Sequence, residues 1–194
     1  MASFIEELME SFGPQVNRSL STNMGIERKT ADQIIPAIAP LMLGGLKRQM
    51  EQHGGADRAD HILNKYGSPD VLDRIDDEIA TRSREENPDP RLGGLLGDSG
   101  VQASDMISKQ FKIDPSIAMK LIPALAPIIL GALSNKRDKE GLGASGIASL
   151  IDQDGDGQIL DDVAGFLMQG LSASGSGQGG GLLGLLGGLF SKRK

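Results

Sequence analysis

The residues with the clearest capacity for chemistry stand together in "DQDGDGQILDDV", residues 152 to 163. Asp152, Asp154 and Asp156 alternate, Gly157 follows, and Ile159 sits where a calcium loop keeps an apolar anchor. At loop positions 1, 3 and 5 the carboxylates turn inward, glycine at position 6 permits the sharp bend, and the carbonyl of Gln158 adds an oxygen. A hard divalent cation fits such a set, calcium ahead of magnesium. The twelfth position, where an EF-hand carries a bidentate Glu, is Val163, which cannot ligate. Closure must then come from Asp161 or Asp162 on the first turn of an exit helix. The expected metal set is therefore Asp152, Asp154, Asp156, Gln158, Asp161 and Asp162. The loop is single, whereas EF-hands usually pair, so the affinity expected is weak, roughly 10⁻⁵ to 10⁻³ M. An Asx turn capping a helix would account for two or three of these acids. It would not account for strict alternation followed by Gly and Ile.

Other chemistry is sparse. His53 and His61, eight apart in a polar stretch, read as surface residues. Cysteine is absent, which removes disulfides, thiolate metal sites and cysteine nucleophiles. No phosphate loop, dinucleotide fingerprint or nucleophile elbow occurs, and the glycines of "GSGQGGG" lack a following "GK[ST]". An enzyme is not expected. The net charge of −6 argues against generic nucleic-acid binding, which needs a basic surface. Arg18, Arg28, Lys29, Lys47 and Arg48 could form only a small local patch.

The elements that must position the loop are helical. Apolar residues make up 39% but aromatics only 3%, with no Trp, so the core is built from Leu, Ile, Ala and Met. Strand-like alternation is missing, and the fold class expected is all-α. The chain also repeats itself. "ADQIIPAIAPLMLGGL" (31 to 46) matches "AMKLIPALAPIILGAL" (118 to 133) without a gap at an offset of 87, with nine identities in sixteen positions. Gly13, Gln15, Ser21 and Ile26 extend the match to Gly100, Gln102, Ser108 and Ile113. We read a duplicated helical hairpin, each copy a short amphipathic helix, a turn and a longer apolar helix. Asp114 and Pro115 open the second long helix as N-cap and first helical residue. Glu27 and Thr30 mark the same boundary in the first. Pro36 and Pro40, like Pro123 and Pro127, cannot donate backbone hydrogen bonds, so each long helix should kink or divide near its first proline. The two kinked helices are expected to pack about a pseudo-two-fold axis. Their uncharged cores of 13 residues fall short of the roughly 20 a membrane span needs, so both read as core helices.

Repeat 1 covers about 13–52, charged middle helices 56–86, and repeat 2 about 100–137. "SPDVLDRIDDEIATRSREE" reads as one helix capped by Ser68 and started by Pro69, with Val71, Leu72, Ile75 and Ile79 as its apolar stripe. "NPDPRLGGLLGDSG" reads as a link to repeat 2. The helical domain ends near residue 171, and 172–194 is a Gly/Ser linker with a short apolar end, "GLLGLLGGLF", followed by "KRK". That tail should form a helix only when docked, on its own domain, on a second subunit or on a membrane surface. The start of the chain lacks the features of a signal peptide, so the expected location is cytoplasmic.

The "IPA-APxxLGxL" hairpins, the "DxDGDGxxLDD" loop and "GLLGLLGGLF" together resemble the bacterial domain of unknown function 937 family, which includes YidB-like proteins. The resemblance implies a small helical fold, described in some YidB-like members as homeodomain-like, and implies no activity. The expectation is a calcium-binding structural or interaction module that associates with itself or another protein. A nucleic-acid-binding regulator and a peripheral membrane module are the competing classes.

Overall fold

A computed structural model describes residues 4–142 and residue 146. The acidic loop, its exit helix and the segment 172–194 lie outside the described residues. Within them the chain is all-helical: α1 (Phe4–Met24), α2 (Arg28–His53), α3 (Ala56–Tyr66), α4 (Ile75–Ser83), α5 (Asp98–Phe111) and α6 (Pro115–Glu140). Two 3₁₀ turns, Pro69–Arg74 and Leu92–Gly94, join them.

The core is aliphatic, as a chain so poor in aromatics requires. Leu20, Ile34, Ile38, Leu46, Leu63, Ile75, Ile79, Leu121, Ile122 and Leu133 are fully buried. α6 is its axis. Its buried residues run on every face, from Leu121 through Ala126 and from Ile128 through Ser134. A helix apolar all round must be covered all round, and α1, α2, α3, α4, α5 and the Pro69–Arg74 turn all pack on it. An 18-residue stretch of α6 has a mean hydropathy of 1.9 and by length and composition could cross a membrane, but 72% of that stretch is buried inside the domain.

α2 and α6 are both 26 residues long, and both their ends are 87 residues apart. The residues around them follow the same offset. Gly25 and Lys112 take positive φ in the two hairpin turns, and Gly54 and Gly141 do so where the long helices end. α2 and α6 also contact one another.

Two expectations need correction. Neither long helix divides at its prolines; each runs unbroken through them. Proline costs a helix interior about 3 kcal/mol, and burial of Ile35, Ile38 and Ala39, or of Ile122, Leu125 and Ala126, offsets it. The segment after Ser68 is not one capped helix. It forms a 3₁₀ turn, leaves helical geometry at Arg74 (φ −130°, ψ 35°) and then enters α4, and Ser68 makes no side-chain capping bond. Its four predicted apolar residues are nonetheless all buried. The stretch before repeat 2 links α4 to α5 as expected, with Leu95 and Leu96 buried in it. Asp89 shapes that stretch by accepting from the backbone N–H groups of Arg91 and Gly93, both at 3.0 Å.

Candidate functional site

Among the described residues a cleft of about 450 Å³ opens where α6 meets the 3₁₀ turn and α4. Its floor is apolar: Pro123, Ala126, Pro127 and Leu130 from α6, Val71 from the turn, and Leu92 and Leu95 beyond them. Both prolines that α6 carries through its interior thus open onto this surface. The rim carries Lys65, Arg74 and Arg82 together with Glu78, Glu85 and Asp89, three charges of each sign. Tyr66, at 48% exposure, stands at its edge with the Lys65 ammonium 5.0 Å from the ring centre.

The rim is ordered by ion pairs. Arg82 bonds Glu78 at 2.9 Å and Glu85 at 3.4 Å. Partial burial works against the Arg82 charge, but hydrogen bonds and attraction from the two glutamates outweigh it and hold the guanidinium above its ordinary pKa. Lys120 donates to the carbonyl of Ser83 at 2.7 Å, closing the end of α4 onto α6. Such a site, apolar inside with polar groups at the rim, suits an apolar segment flanked by charges.

The six expected metal ligands, Asp152 to Asp162, lie outside the described residues. Among the described residues no group of three or more His, Asp or Glu is placed to hold a metal ion. His53 and His61 are both exposed, as expected. Of the basic residues considered for nucleic acid, Arg48 donates to Ser99 at 3.2 Å and Lys47 pairs with Glu51 at 3.6 Å. Asp114 caps α6 as its sequence indicated, accepting from the Ser116 N–H at 2.8 Å. Hydrogen bonds from the Ser116 hydroxyl and then from its N–H hold the Asp114 carboxyl below the usual carboxylate range.

Two features escaped the sequence reading. One is a pair of matching contacts: Gln49 donates to the Gly94 carbonyl at 3.3 Å, and Lys136 bonds Glu7 at 2.5 Å. Each partner in one pair is the partner in the other shifted by 87 residues. The Glu7 hydrogen bond is the main reason that the Lys136 ammonium is held above its ordinary pKa. The other lies in the acidic loop's own sequence. "LIDQDGDGQILDDV" (150 to 163) aligns at an offset of 88 with "ILNKYGSPDVLDRI" (62 to 75), placing Gly155 on Gly67, Ile159 on Val71 and Val163 on Ile75. The signal was available, but the side chains differ and the register shifts by one.

Comparison with curated proteins and with solved structures gave no match. A family model for a bacterial protein of unknown function (DUF937) matches residues 6–137. With its all-helical fold and its paired long helices, the chain belongs to the bacterial DUF937 family.

Proposed function

We propose that this chain is a non-enzymatic interaction module, made of two copies of one helical unit and tied by calcium at the acidic loop of the second copy. The observation that carries the reading is the frame seen in the first copy. There α3 leads through Gly67 into a tight turn and α4, a helix–loop–helix joint whose Val71, Leu72 and Ile75 are buried. The aligned residues Ile159, Leu160 and Val163 keep that apolar pattern, while acids replace Asn64, Tyr66 and Ser68. On this reading Val163 is a core residue rather than a failed ligand. Asp161 and Asp162 fall on Asp73 and Arg74, which are exposed, and one of them closes the site. Calcium would then join Asp152, Asp154, Asp156 and the Gln158 carbonyl, with magnesium a weaker competitor.

The interaction surface is the cleft on α6, occupied by an apolar segment of a protein partner or of a second copy. A recognition helix needs an exposed basic face, and the buried α6 has none, which disfavours the nucleic-acid reading. The test is calorimetric titration of chelator-stripped full chain with calcium, then magnesium, beside Asp154→Ala. Saturable calcium heat that the variant loses, with a raised unfolding temperature, supports the site. Absence of both heat and thermal shift overturns it. Sedimentation of the full chain beside Pro127→Glu then tests whether the cleft mediates self-association.

A further inference from the structure

The 87-residue offset reaches past the second long helix. "GGLLG" at 93–97 recurs at 180–184, an interval of 87. From there Leu182, Gly187, Phe190 and Lys192 fall on Leu95, Gly100, Ala103 and Asp105, and these in turn fall on Leu8, Gly13, Val16 and Arg18. The tail therefore reads as a third copy of the helix that α1 and α5 represent.

The structure shows where such a segment sits. Residues 91–99 lie on α2: Leu96 packs so closely on Gly45 that a Cβ there would be 2.5 Å from its Cδ2, while Gln49 and Arg48 bond Gly94 and Ser99. The α6 counterparts of Gly45, Arg48 and Gln49 are Ala132, Asn135 and Lys136. All three line a second cleft, of about 200 Å³, whose opposite wall is Phe4, Leu8 and Phe12 of α1. So the opening turns of α1 hold on α6 the place that residues 91–99 hold on α2. They hold it less tightly. The close approach that Gly45 allows is barred by the Ala132 methyl, and an open cleft remains beside it.

We propose that the tail, residues 180–190, docks in this groove of α6 on its own chain and competes there with residues 4–12. The spacing suits the same chain, because Gly45 to Leu96 and Ala132 to Leu183 are equal in residues. The proposal rests on the two-copy reading above, whose calorimetric test does not involve the tail, so the two can fail separately. The natural absence of cysteine makes the test direct. Ala132→Cys with Leu183→Cys, in the full chain, should form an intrachain disulfide under mild oxidation. Its yield should exceed severalfold that of Ala132→Cys with Ser174→Cys, and adding Glu7→Ala should raise it further. Reduced variants with wild-type helical circular dichroism confirm that the fold is kept. A yield no higher than that control pair, or a disulfide only between chains, overturns the docking. A yield indifferent to Glu7→Ala overturns the competition.

Discussion

Gly67 and Gly131 lie on the seam where the 3₁₀ turn meets α6, and neither has room for a methyl group. A Cβ on Gly67 would stand 2.6 Å from the Leu130 carbonyl oxygen, and one on Gly131 would stand 2.9 Å from that of Ser68. Backbone cannot step aside as a side-chain tip can, so Gly67→Ala should destabilise by about 1–3 kcal/mol. Gly131→Ala should cost less, because alanine in a helix regains up to about 1 kcal/mol. Urea midpoints of the two variants check the order, and an unchanged Gly67→Ala would refute the close contact. Asp114 acts in pH instead. Its folded pKa is depressed, so its contribution is complete above the unfolded value, near pH 4, and fades as pH falls through the folded one. Acid melts should therefore show wild type losing its advantage over Asp114→Ala in that window. Asp114 was legible in the sequence because capping is local, two residues from acceptor to donor. Gly67 and Gly131 were not, because their need arises only when distant segments meet.

At the scale of elements, the repeated prolines are the feature most at odds with local preference. Pro36 and Pro127 are each only half-buried, so an alanine there leaves no large void. Pro36→Ala and Pro127→Ala should each restore a backbone donor and helix propensity, raising stability by as much as about 3 kcal/mol. Thermal unfolding measures it, and a fall in melting temperature would mean that the rings contribute more through packing than they remove from the helix. Of these two prolines only Pro127 lines the cleft, beside Pro123. The start of α6 was readable from Asp114 and Pro115, whereas its end lies a few residues past the 137 expected for repeat 2. The break at Arg74 was not readable, since "SPDVLDRIDDE" carries every helix-start signal, and the tighter turn accompanies the packing of Pro69–Arg74 on α6 with Val71 against Gly131.

For the whole molecule, the all-α class of the described residues followed from composition and from the lack of strand-like alternation. The cleft did not, because its walls come from stretches far apart in the chain, from Lys65 to Leu130. The way the halves combine was equally hidden, and it has a consequence for folding. α1 packs on α2 but also on α6, α5 on α6 but also on α2, and α3 and α4 cover α6 from the first half. Ion pairs cross in the same sense, Lys136 to Glu7 and Arg137 to Asp60 at 2.6 Å. Neither half can then bury its long helix alone, and α6 would expose apolar residues such as Leu121, Leu125 and Ile129. A chain divided near Asn87, in the exposed stretch between α4 and the next 3₁₀ turn, should give halves that copurify when coexpressed. Each half expressed singly should lack a cooperative thermal transition, while the intact chain unfolds in one step. A lone half that melts cooperatively as a monomer would show instead that each copy is a domain in its own right, with the shared α6 core a contact rather than a condition of folding.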